Sequence, residues 1–136
     1  MRLPPPVVAL STALALSAFV ASPAVRLHDP CKVLTAEAFG RIMGYTATID
    51  KTGSTATTCY YTGPAGQGGQ FMIFTEVATA PQADAMLKRR GATPPAGSGL
   101  VGGMYREGTI VFSVSIRSTD QAKLQAVVAA IRRNLS

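Results

Sequence analysis

The sequence predicts an α+β domain: a largely antiparallel sheet with helices packed on one face, in the order α-β-β-β-α-β-β-α. Three patterns carry this reading. Thr109 to Arg117 alternates, with Ile110, Phe112, Val114 and Ile116 on one side and Val111, Ser113, Ser115 and Arg117 on the other. Leu124, Val127, Val128, Ile131 and Leu135 recur at helical spacing. Gly/Pro-rich stretches at 63–69 and 91–103 divide the chain into short elements. Strands and helices in this mixed order pack as layers around one core.

The first helix follows Cys31. Thr35 is placed to cap it, Glu37 favours its positive end, and Leu34 and Phe39 have the spacing of a hydrophobic staple. Phe39, Ile42 and Met43 share a face, and Gly44 is the expected stop. Thr46 to Asp50 and Thr57 to Thr62 are rich in β-branched and aromatic residues and predict strands. Phe71 to Val77 predicts the central strand, because both of its faces carry bulk. Pro81 suits the first turn of a second helix and Gly91 lies just past its end. A loop is expected from Gly91 to Gly103, then a short strand around Met104-Tyr105. A turn at Arg106-Glu107-Gly108 joins that strand to the alternating one. Ser118 and Gln121 have capping-box spacing at the head of the last helix.

The N-terminal 24 residues stand apart from this plan. Met1 and Arg2 give a positive start, and Val7 to Ala21 runs without a charge. Ser22-Pro23-Ala24 supplies small residues where a signal peptidase reads, so a secretory leader over 1–24 with cleavage after Ala24 is expected. The competing reading is a retained anchor, but the 15-residue run falls short of the roughly 20 that span a bilayer. The expected product is a single domain over 25–136, secreted or periplasmic, without a transmembrane anchor. The full chain's 47% hydrophobic content argues against wholesale disorder.

Export changes the meaning of the two cysteines. In an oxidising compartment thiols tend to pair, and Cys31 and Cys59 allow one intramolecular bridge. A redox pair and metal ligation are the alternatives, and both favour a close Cys-x-x-Cys spacing that this chain lacks.

The remaining chemistry-bearing residues point away from catalysis. His28 is the only histidine and sits two residues from Pro30, near the mature N-terminus, where a solvated side chain is expected rather than a metal ligand or base. The seven acids are scattered, with no spacing that suggests the paired carboxyls of glycosidase chemistry. The glycines at 63–69 lack the Lys of a phosphate-binding loop and lead into a strand rather than a helix. Lys88-Arg89-Arg90 and Arg132-Arg133 each fall in the last turn of a helix, where cations oppose the negative end, and no aromatics interleave with them. No catalytic residue, cofactor, metal or specific nucleic acid is therefore expected. The net charge of +6 still leaves a cationic exterior able to attract an acidic envelope polymer.

The sharper expectation concerns the side of the sheet turned away from the helices. It should carry Ser113, Ser115 and Arg117, with Tyr60 and Thr58 beside them and Met72 and Phe74 as the apolar component. The opposite phase of that strand would instead bring Phe71 and Ile73. An apolar patch rimmed by hydroxyls is a contact surface for a protein or cell-envelope component. The 91–103 loop or a second copy of the chain are the alternative covers. A small-molecule carrier with a pocket between sheet and helices is the second functional reading, and a hydrolase with an atypical site the third.

Asp29-Pro30-Cys31-Lys32-Val33-Leu34-Thr35, with Gly44 closing the short helix and Cys59-Tyr60 later, resembles an uncharacterised family of small exported bacterial proteins, many of them lipoproteins. Gly99 to Tyr105 is similar to that family's Gly-Leu-Gly-Asp-x-Ala-Tyr segment, with Val101 and Gly102 in place of the central Gly-Asp. The resemblance implies an exported α+β domain with a Cys31–Cys59 bridge and brings no catalytic site. No lipid-attachment cysteine closely follows the leader, so tethering does not carry over.

Overall fold

The computed structural model describes residues 2–4, 28–74, 79–91 and 93–136. The body of the expected leader with its expected cleavage point, and Thr75 to Val77 at the end of the expected central strand, lie outside the described residues. Among the described residues, four α-helices and a five-stranded antiparallel sheet form the α+β fold expected from the sequence. The helices are α1 (Pro30–Val33), α2 (Ala36–Met43), α3 (Ala80–Arg90) and α4 (Gln121–Leu135). The strands are β1 (Thr48–Ile49), β2 (Thr58–Thr62), β3 (Gly68–Phe74), β4 (Val101–Glu107) and β5 (Ile110–Ile116), ordered β1-β2-β3-β5-β4.

The start of the domain is fixed by local hydrogen bonds. The Asp29 carboxylate accepts from the Cys31 N–H at 3.0 Å and caps α1, a one-turn helix separate from α2. Thr35 Oγ1 accepts from the Ala38 N–H at 3.2 Å and caps α2, which ends at Gly44. Leu34 and Phe39 are both buried in the main core, as the staple spacing requires. Cys31 and Cys59 form a disulfide that ties α1 to β2.

Register then places the core. Phe71 pairs with Val114 and Ile73 with Phe112, and all four point inward beneath α1, α2 and α4. The Phe71 and Phe112 rings meet edge to face at 5.9 Å, and Phe39 stacks on Tyr61 at 4.4 Å. The Leu124, Val127, Val128, Ile131 and Leu135 stripe of α4 closes this layer. Two long-range bonds hold α4 there: Asn134 Nδ2 donates to the Val33 carbonyl at 2.7 Å, and Lys123 Nζ to that of Met43 at 3.0 Å.

Four details depart from the sequence expectation. Helix α3 lies on the opposite face from the other three, packing Ala83 and Met86 on Val111. Arg106 anchors it there, with Nε 3.4 Å from an Asp84 carboxylate oxygen. Strand β4 begins at Val101, so Gly102 and Gly103 belong to the sheet rather than to the loop. A Cβ on Gly102 would lie 2.3 Å from the Val114 carbonyl oxygen, so this close approach of β4 to β5 requires glycine. The β4–β5 turn is Gly108-Thr109, because Arg106 pairs with Val111 and Glu107 with Ile110. Gly108 supplies the positive φ of 59° for this two-residue turn. Finally, Asp120 caps α4 by accepting from the Ala122 N–H at 2.9 Å, while Ser118 Oγ accepts from the Asp120 N–H one step earlier. A carboxylate is the stronger partner at a positive helix end, which explains why Asp120 displaces Ser118.

Candidate functional site

The outer face is generated by register alone. In an antiparallel sheet, directly paired residues project to the same side. Tyr60 pairs with Gln70, Gln70 with Ser115, and Ser115 with Gly102, giving one row across four strands. Thr58, Met72, Ser113 and Met104 form the next row by the same pairings. Phe74, Val111 and Arg106 form a third row, and α3 covers it.

These rows line two adjoining depressions. The first encloses about 310 Å³ over Met72, Met104, Ser113 and Ser115, with Phe74 at one end and Arg90 and Pro94 at its side. The second encloses about 380 Å³ beside Tyr60, Leu100 and Arg117. Gln70 and Ser115 belong to both, so the depressions join into one groove across the sheet.

All six residues singled out as a contact surface project from this face. Met72, Phe74, Ser113 and Ser115 line the first depression, and Tyr60, Ser115 and Arg117 the second. Met72, Ser113 and Ser115 are half-buried, and Tyr60 is 37% exposed. Phe74 is partly withdrawn, because it packs against the Ala83–Met86–Val111 cluster under α3. Thr58 shares the face but is buried. The described residues of the 91–103 segment flank the groove through Thr93, Pro94 and Leu100.

Sequence reasoning did not find Gln70, Met104 or Arg90. Gln70 has the same parity as Met72 but precedes the strand start read from composition. Met104 needed the β4 register. Arg90 was explained by its helix end, a role that does not prevent it from lining the groove.

Polar chemistry elsewhere belongs to structure. Tyr61 Oη donates to the Leu34 carbonyl at 2.6 Å inside the core. Burial, with the Asp29 charge adding to it, pushes the Tyr61 phenol up from its ordinary value. Burial also raises Tyr45, and it raises Tyr105 against the opposing Arg132 charge. All three rings pack in the inner layer. Among the described residues, no three His, Cys, Asp or Glu side chains gather as a metal site, and no helix is long and apolar enough to cross a membrane. Comparison with protein-family models, with curated proteins and with solved structures returns no match.

Proposed function

We propose that this chain is an exported binding module that holds a protein or cell-envelope component against the outer face of its sheet. The observation that carries the reading is the open groove over Met72, Met104, Ser113 and Ser115, on strands whose other face is fully packed. Apolar side chains interrupted by hydroxyl and amide groups suit a recognition surface, where apolar contact supplies energy and polar groups set orientation. The Cys31–Cys59 disulfide supports the export part, because such bridges persist in oxidising compartments. The resemblance to small exported bacterial proteins belongs to the same proposal. A carrier pocket between sheet and helices is less well supported, since Phe39, Phe71, Phe112 and Ile131 fill the centre of that layer and the depression of about 540 Å³ at its edge, beside Tyr105 and Leu124, is walled mainly by the loop before β4.

A photo-crosslinking residue at Gln70 tests the reading against one at Gln125, which lies exposed on α4. In cells making the protein, a discrete adduct from position 70 and none from position 125 is expected. Adducts at neither position, or equally at both, would remove the outer face as the binding surface.

A further inference from the structure

We infer that the groove takes an extended protein segment with an apolar centre and acidic flanks, its carboxylates meeting Arg90 and Arg117. This rests on the outer face being the binding surface and specifies what that face selects.

Charge complementarity carries the inference. Arg90 lines one depression and Arg117 the other, and among the described residues no carboxylate lines either. The six described acids are all engaged elsewhere. Glu37, Asp84 and Glu107 pair with Arg41, Arg106 and Arg132, while Asp29, Asp50 and Asp120 accept from nearby backbone N–H groups. Neither Arg90 nor Arg117 has an ion-pair partner among the described residues. Lys88 and Arg89 precede Arg90 in the same exposed helix turn and strengthen the positive potential at that end.

The floor between the two cations decides the class of partner. Met72 and Met104 flank Ser113 in one cross-strand row, with Phe74 beyond. Unbranched thioethers adapt to apolar side chains of varied shape. A polyanionic glycan offers no such side chains and would leave this floor unused. From Ser113 to Arg117 the floor follows β5 for about 13 Å, the length of about four or five extended residues. Gln70 and Ser115, midway along it, can hydrogen-bond the backbone of such a segment.

The probe is the blocked peptide Asp-Glu-Leu-Phe-Leu-Glu-Asp with a fluorescent label. One control replaces its acids by Lys, and the other replaces Leu-Phe-Leu by Gly-Ser-Gly. Binding to the purified protein is followed by anisotropy and by the methyl signals of labelled methionines. The expected result is binding of the acidic apolar peptide that moves the Met72 and Met104 signals and leaves the signal of Met43, buried in the inner layer, in place. Each of Arg90→Glu and Arg117→Glu should weaken it about tenfold, since reversal removes one surface attraction and adds one repulsion, each worth about threefold. An unchanged Met43 signal and a parent-like melting transition in these variants establish that the fold is kept. Three results each overturn the inference: equal binding of the Lys peptide, equal binding of the Gly-Ser-Gly peptide (a surface that selects charge alone, as for an acidic polymer), or unmoved Met72 and Met104 signals. If one of these occurs while Gln70 still crosslinks to a partner, the outer face stands as the binding surface and only the acidic apolar partner is withdrawn.

Discussion

Strands β3 and β5 present two surfaces of opposite character. Inward, Phe71, Phe112, Val114 and Ile116 are essentially removed from solvent beneath three helices. Outward, one residue along the same strands, Gln70, Met72, Ser113 and Ser115 are half-buried, and α3 covers only the Phe74–Val111 end. The contrast teaches that, away from the end covered by α3, the sheet is held from one side. Substitutions on the inner face should therefore act on stability, and those on the outer face on recognition.

The strongest way to break that contrast is to hollow the inner face. Phe112→Ala removes a ring that meets both Phe71 and Tyr105 and should cost about 3–5 kcal/mol in urea unfolding. Next comes the covalent tie. Replacing both Cys31 and Cys59 by Ser should cost about 3–4 kcal/mol, because the bridge closes a loop with a sequence separation of 28. A smaller loss, about 1–3 kcal/mol, is expected for Tyr61→Phe, which leaves the buried Leu34 carbonyl without its donor.

Tyr61 also sets a pH limb. Its phenol stays protonated in the folded chain above the ordinary value near 10, whereas the unfolded chain ionises there. The folded state then binds more protons, so stability falls as pH rises past 10, by about 1.4 kcal/mol per unit for this group. Equilibrium unfolding between pH 8 and 11 should show a shallower decline in Tyr61→Phe. The smallest effect sharpens the contrast from the other side. Ser113→Ala should move stability by no more than about 0.5 kcal/mol. The corresponding Met72→Ser should lower capture of the crosslinked partner while the melting transition stays close to that of the parent.

The two faces were unequally legible in the sequence. The inner face follows from parity in Ile110 to Ile116 and the helical stripe of α4, both strong periodic signals. The phase of β3 was ambiguous, because Phe71, Met72, Ile73 and Phe74 are all apolar, and only pairing with β5 separates them. Helix α3 was placed on the wrong side because just Ala83 and Met86 are buried along its length, too few to set a face. A hint did exist: Ile110-Val111-Phe112 breaks the alternation with an apolar residue at the outward position, and Val111 is the residue α3 covers. Gly102 and Gly103 read as loop because glycine weakens strands, and the close approach to Val114 that requires Gly102 is a tertiary fact. The outer-face residues Ser113, Ser115 and Arg117 were found by alternation alone, while Gln70 and Met104 required register.

The bond from Asn134 to the Val33 carbonyl joins positions 101 residues apart in the chain. Helix α4 supplies Leu124, Val127, Val128 and Ile131 to the core, so the inner layer is closed only when α4 docks beside α1 and α2. Docking α4 against α1 therefore closes a loop that spans almost the whole domain, and closing so wide a separation is entropically slow.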